Sequence, residues 1–460
     1  MPADPAAILA NHIVSTQLSD IPSEALHASK RDILDTLGAM LGGSPAPGVP
    51  ELSRIVFRWG GLEESSVILS GRKVPAPQAA LLNATMGHAL DFDDTLDRGG
   101  NIHPGVSVLA TAMAVSESLE GVLGPQFLLA VTLGLDVSCR LALAGNIDRG
   151  WHRTATYGIF GAAATAAKLL DLNVEQTINA FGIAYSQAAG NRQCIVDGAL
   201  TKRLQAGQAA SSGVVAAELA QEGFTGAADT FAGRYGFFPM YQPEGYNLGA
   251  IEDDLGTTFR GVEISFKPYA CGRPSHALID AALALYQKLE LAGVNTGTSI
   301  AEVKVTTSPS VHAEQFGPGI EKRRPSQVVE AQFSIPFLIA AALTQGKVGI
   351  GEVAGVENPQ VLALSDRVQG IAATDAKNRA RSWGRIQVSL ADGRVASEET
   401  SIPSGSPERP LIDDQLQAKF RDCAAHAVKA IPSETMNQAI HVIWNLETAE
   451  DATDLVRLFA

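Results

Sequence analysis

Val262–Leu285 reads VEISFKPYACGRPSHALIDAALAL, and across it the period of the apolar residues changes. Upstream they recur at three and four, as in DPAAILANHIVSTQL (Asp4–Leu18), SEALHASKRDILDTLGAMLGG (Ser23–Gly43) and HPGVSVLATAMAVSESLEG (His103–Gly121). That spacing lays one face of a helix on a core. Inside the quoted stretch, VEISFK alternates as a strand does, and SHALIDAALAL returns to helix. Further on, SIAEVKVTTS (Ser299–Ser308) and RIQVSLADGRVASEE (Arg385–Glu399) alternate or carry β-branched residues, and Asp392-Gly393 is a two-residue hairpin signal. PSQVVEAQFSIPFLIAAALTQG (Pro325–Gly346) reads as a helical stretch between them. After the linker SIPSGSPERP (Ser401–Pro410), DDQLQAKFRDCAAHAVKAI (Asp413–Ile431) is helical again. The reading is a mainly α fold: a large all-helical domain, residues 1–262 plus 401–460, with a smaller α+β domain, residues 263–400, inserted as a lid.

With 46% hydrophobic and 18% charged residues in 460, the chain can bury a large core and divide into more than one domain. A net charge of −14 and an isoelectric point of about 5.1 argue against a nucleic-acid partner. The opening MPADPAAILANHIV lacks a charged n-region and a cleavage site, and the apolar runs QFLLAVTLGLDV and FSIPFLIAAAL are shorter than the roughly 20 residues of a membrane span. A cytoplasmic location without membrane association is expected. Four dispersed cysteines, Cys139, Cys194, Cys271 and Cys423, form no CxxC pair and read as reduced packing residues. Gly158 and Gly161, among alanines in GIFGAAATAAKLL, predict a close helix contact.

The chemistry concentrates in GHALDFDDTLDRGGNIHPG (Gly87–Gly105). Aspartates beside glycines ordinarily cap helices or sit in solvated loops, but Leu90 and Phe92 are interleaved with His88, Asp91 and Asp93, which points to burial and shifted pKa values. A second reading takes Asp93, Asp94 and Asp97 as a DDxxD motif holding magnesium against a diphosphate, with carboxylates at i and i+4 on one helix face. Against it, the second candidate motif, DDLGTTFRG from Asp253, ends on Gly261 where an acid is needed, and only 6% of residues are aromatic.

The third reading includes His103-Pro104-Gly105. GHALDFDDT followed by HPG resembles the MmgE/PrpD family, which includes 2-methylcitrate dehydratase, cis-aconitate decarboxylase and iminodisuccinate epimerase. GWHRTATYGIFGAAATAAKLL, TKRLQAGQAA, SFKPYACGRPSHALIDA and the FSIPF helix resemble it in the same order. The resemblance implies a homodimer of two-domain chains, an active site in the cleft between the domains, and no metal or organic cofactor. Carried over by motif, Asp91, Thr95 and His103 match pocket residues of the decarboxylase branch, His152 a second pocket histidine, and Lys202 and Lys267 two pocket lysines. Two departures stand out: a longer loop from Thr95 to His103, and Gly272 where that branch has a histidine.

These residue types suit removal of a proton next to a carboxylate. Fixed cations such as Lys202, Lys267 and Arg273 would stabilise the resulting carbanion. His103 and His152 would exchange the proton, Asp91 would orient a histidine, and Thr95 would bond the substrate. His276 either caps the following helix or joins Thr95, Lys267 and Arg273 in binding. Blander roles are expected for His88 (hydrogen-bonded core), Tyr157 and Tyr269 (packing) and GKVGIGEVAG (a turn); a solvated helix face is the lesser alternative for Lys202 and Arg203. The sequence thus predicts a cofactor-independent isomerase (epimerase) or hydro-lyase (dehydratase) for a small di- or tricarboxylate. Decarboxylation, magnesium-dependent diphosphate chemistry and non-catalytic binding of a polycarboxylate are the alternatives.

Overall fold

A computed structural model describes residues 4–145, 149–317, 319–374 and 383–460. Contacts divide the chain into two compact units, one of Met1–Ala89, Asp93–Phe266 and Ile412–Ala460, the other of Leu90–Phe92 and Lys267–Leu411.

The first unit is built of helices. Asp4 caps Pro5–Ser15, its carboxylate accepting from the Ala6 N–H. Ser23–Gly43 ends on two glycines, and a Cβ on Gly43 would overlap the Met86 carbonyl, so the Ala76–Gly87 helix lies directly against that end. Gly124–Ala144 and Arg153–Leu169 meet through their small residues: a Cβ on Gly161 would overlap the Ser138 hydroxyl and lie 2.8 Å from the Gly134 carbonyl oxygen. The contact expected of Gly161 is therefore present. Thr201–Gln221 packs on Ala76–Gly87 and Arg153–Leu169. Asp413–Ala425 packs on Ser23–Gly43, where the buried Lys419 pairs with Asp35 at 2.6 Å.

The second unit holds a four-stranded sheet in the order Val368–Ala372, Ile300–Thr307, Gly384–Leu390, Val395–Thr400. Ile300–Thr307 runs parallel to Val368–Ala372, and the other pairings are antiparallel. The last two strands form the expected hairpin, with Gly393 at φ 86° in its turn. His276–Leu291 and Ile335–Gln345 share a core with the inward face of the sheet, where Val303, Val305, Ile386 and Val388 are buried. Alternating inward apolar residues along Ile300–Thr307 and Gly384–Leu390 make this core possible.

Three local expectations are corrected. VEISFK forms no strand: Asp136 takes the Arg260 N–H at 2.6 Å, residues 260–263 curl into a 3₁₀ turn, and one bridge, Thr95 to Ser265, remains. Pro325–Gly346 is two helices, Val328–Gln332 and Ile335–Gln345, because Ser334 breaks the run and caps the second through the Phe337 N–H, with Pro336 in its first turn. The QFLLAVTLGLDV run lies in a 21-residue helix, Gly124–Ala144, long and apolar enough to cross a membrane, yet 94% of its apolar window is buried inside the protein. A short hairpin, Ser65–Val67 with Arg72–Val74, also belongs to the helical unit.

Candidate active site

In the first unit, the Ala76–Gly87 helix stops at His88, and the chain loops until Pro104 opens the Pro104–Ser118 helix. Proline suits that first helical position because its missing N–H would have no partner there. Leu96 and Ile102 pair across the loop, and Asn101 takes the left-handed conformation at φ 52°. Thr95 is fixed by its backbone, which exchanges 2.8 Å hydrogen bonds with Ser265.

His88 sits at the hub. Its Nδ1 lies 2.6 Å from Asp93 Oδ2 and its Nε2 2.8 Å from Lys202 Nζ. An ammonium only donates, so Nε2 accepts from Lys202 and Nδ1 donates to Asp93. The result is a neutral imidazole that ties a buried lysine to a buried carboxylate. The rings of His103 and His152 lie against it, with centroids 4.8 and 5.4 Å away.

Both flanking imidazoles have their tautomer set. His103 Nδ1 is 2.6 Å from the Asp94 carbonyl oxygen, which can only accept, so Nδ1 carries hydrogen and the neutral ring has its lone pair on Nε2. The His103 N–H is held by Thr154 Oγ1 at 3.2 Å. His152 Nδ1 is 2.9 Å from Gln205 Oε1. The Asn191 N–H donates to that same oxygen, and Gln205 Nε2 donates to the Asn191 carbonyl, which fixes the amide's orientation. His152 therefore also donates through Nδ1. In both rings Nε2 is the basic nitrogen.

The second unit holds the other predicted groups. Lys267, fully buried, donates to Asp91 Oδ1 at 2.7 Å and to the Asp91 carbonyl at 2.9 Å. The carboxylate on the His88 imidazole is Asp93, two residues on from Asp91. Asp91 itself sits at φ 51° and is ion-paired with Lys267. Arg273 donates to the Ser404 carbonyl, to Ser406 Oγ and to His276 Nδ1 at 2.8, 2.9 and 3.1 Å. His276 opens its helix fully buried, its Nε2 on the Cys271 carbonyl at 3.2 Å, and burial together with Arg273 holds its pKa well below the usual histidine value. With both ring nitrogens engaged, its contacts are those of a packing residue. Gly272 is crowded: a Cβ there would lie 3.0 Å from two Phe333 ring carbons, so the ring fills the space a larger side chain would use.

Several blander expectations hold. Only the first part of GKVGIGEVAG is a turn, Gly346 being the left-handed cap of Ile335–Gln345; its GxG is corrected, since Gly349 precedes a short helix, Ile350–Ala354. Tyr157 is buried, and Tyr269 hydroxyl bonds Asp280 at 2.6 Å. The solvated-face alternative for Arg203 is overturned: the residue is buried, with its guanidinium on the Pro47 carbonyl.

The DDxxD geometry is absent, since residues 93–97 are loop rather than helix. Among the described residues, His88, Asp93 and His103 bring ligand-type atoms within 4.8 Å of one another. Both histidines reach that point through Nδ1, which in each is committed to a 2.6 Å hydrogen bond, so a cation would have to displace those protons first.

Of the proposed residues, His103, His152 and Lys202 gather around His88 in the first unit, and Lys267 with Asp91, and Arg273 with His276, lie in the second. Sequence reasoning left His88 as a hydrogen-bonded core residue and Asp93 to the DDxxD alternative, and it passed over Gln205. For His88 and Asp93 the signal was their place within GHALDFDD; Gln205, three residues after Lys202, gave none.

The profile of the MmgE/PrpD N-terminal domain matches residues 7–247, and that of the MmgE/PrpD C-terminal domain residues 269–446. A cis-aconitate decarboxylase-like protein of Aspergillus oryzae is 27% identical, covering 99% of this chain and 97% of its own length. The cis-aconitate decarboxylases of Mus musculus and Homo sapiens are 28% and 27% identical, each over 98% of this chain and 92% and 93% of their own lengths.

Proposed function

Because the chain belongs to the MmgE/PrpD family, we propose that it is an enzyme that moves a proton at the carbon next to a carboxylate of a small di- or tricarboxylate, with neither metal nor organic cofactor. One observation carries this reading: two imidazoles, each with its basic nitrogen fixed at Nε2, flank the His88 ring that holds Lys202. A neutral imidazole is a base suited to pH 7, its imidazolium is the matching acid, and an oriented ammonium stabilises the negative charge that spreads onto the substrate carboxylate.

On this reading one histidine removes the α-proton. The other either returns a proton to the opposite face, giving an epimer, or protonates a β-hydroxyl that leaves as water, giving an alkene. A second reading, decarboxylation of cis-aconitate, is favoured by what the relatives are named for. There the C–C bond to a carboxylate breaks, carbon dioxide leaves, and an imidazolium protonates the carbanion. The crowding at Gly272, where the decarboxylase branch is expected to carry a histidine, weighs for the first reading.

Incubation of the protein in heavy water with 2-methylcitrate, the iminodisuccinate stereoisomers and cis-aconitate, followed by NMR, decides between them. Stereochemical inversion with deuterium at the α-carbon, or an alkene from methylcitrate, supports the first reading. Carbon dioxide released from cis-aconitate, with deuterium in the product, supports the second. No exchange and no product from the whole panel overturns both, and activity abolished by EDTA would overturn the metal-free mechanism.

A further inference from the structure

Asp32, on the Ser23–Gly43 helix, and Asp94, in the loop before His103, are fully buried. Neither Asp32 oxygen and not Asp94 Oδ1 has a hydrogen-bond donor among the described residues; Asp94 Oδ2 accepts from the Gly105 N–H at 3.2 Å. A Cβ on Gly105 would overlap Asp32 Oδ2 and the Thr36 hydroxyl, so the first turn of the Pro104–Ser118 helix rests directly on the Asp32 carboxyl. The nearby cationic and imidazole groups already bond other carboxylates, Lys419 to Asp35 and His88 to Asp93. An ionised carboxylate buried without donors is costly enough that it takes up a proton instead. Burial and Asp35 push Asp32 well above the usual carboxylate range, and burial, Asp32 and Asp93 push Asp94 the same way.

We propose that Asp32 and Asp94 share one proton and act as positioning residues for His103. Protonated Asp32 is the missing donor to Asp94. Asp94, so held, grips both ends of His103-Pro104-Gly105: its carbonyl takes the His103 Nδ1–H at 2.6 Å and its carboxylate takes the Gly105 N–H. The Gly105 N–H on Asp94 Oδ2 and the helix N-terminus there both favour the ionised member at Asp94, whereas neither Asp32 oxygen has such a donor among the described residues, so the proton is assigned to Asp32. The catalytic part of this inference rests on His103 being an acid–base group; the shared proton and the imidazole tautomer do not.

Asp32→Asn keeps the size and supplies an amide donor, whereas Asp32→Leu removes the donor. Infrared spectra of the whole protein at neutral pH should contain a buried protonated carboxyl band that Asp32→Asn lacks. Nitrogen-15 NMR should show His103 as the Nδ1–H tautomer in the wild type and in Asp32→Asn, and a mixture of tautomers in Asp32→Leu. With whichever acid of the panel is turned over, Asp32→Leu should lower kcat about 10- to 100-fold with little change in KM, and Asp32→Asn should retain most of it. Absence of the carboxyl band, or an Asp32→Asn variant with the mixed tautomer, overturns the proposal, and the Asn variant supplies this result even if the Leu variant does not fold. If no acid is turned over, the proposed function fails while the two spectra still decide the pair.

Discussion

A lysine 2.8 Å from an imidazole, with an aspartate 2.6 Å from the other nitrogen, leaves that imidazole one role, to point the ammonium. His88→Gln should keep an acceptor for Lys202 and much of the activity, while His88→Leu should lower kcat/KM about 10- to 100-fold. The Leu variant should also lose about 1–3 kcal/mol of stability, since Asp93, whose Oδ1 has no hydrogen-bond partner among the described residues, would lose the His88 donor to Oδ2 as well. Steady-state kinetics and urea melts check the two effects separately. Lys202→Ala and His103→Ala should each lower turnover by orders of magnitude with the fold intact by circular dichroism; a near-normal rate in either would remove that residue from the mechanism.

Elements place these side chains through contacts that tolerate little change. The helices Gly124–Ala144 and Arg153–Leu169 approach closely only because neither Gly134 nor Gly161 has a side chain. Gly161→Ala should therefore cost about 1–3 kcal/mol or more through overpacking, read as a lower urea midpoint. His152, immediately before the second of these helices, should respond too, with activity falling alongside stability. In the second unit the Ser334 hydroxyl accepts the Phe337 N–H at 3.2 Å, and Ser334→Ala should cost about 1 kcal/mol without changing the sheet. A variant as stable as the wild type would show that Pro336 alone sets the start of that helix.

Across the whole molecule, buried ionisable groups set the response to pH in opposite senses. His276 has a folded pKa below its unfolded value, so the unfolded chain binds the extra proton and stability falls as pH drops below about 6.5. Asp32 and Asp94 have folded pKa values above their unfolded ones, so the native state holds the extra proton and stability falls as pH rises above about 4. Urea midpoints measured across pH should therefore diverge between the wild type and Asp32→Asn, the variant gaining relative stability as pH rises. Parallel curves would show that the pair is ionised in the folded protein.

Periodicity by itself determined the helices, the Asp392-Gly393 hairpin and the small-residue contact at Gly161, because each depends on residues within a few positions of one another. Motifs picked out His103, His152 and Lys202, since the residue types that exchange protons and carry fixed charge are few. Tertiary structure alone decided which carboxylate serves which cation: Asp91 and Asp93 are two residues apart, yet one pairs with Lys267 and the other with His88. It also decided the partner of Gln205, the burial of Asp32 against Gly105, the loss of the strand at VEISFK to Asp136, and the crowding of Gly272 by Phe333. Each of these turns on a donor, an acceptor or a ring brought in from a distant part of the chain, and hydrogen bonding and close packing depend on separation in space, which local sequence does not encode.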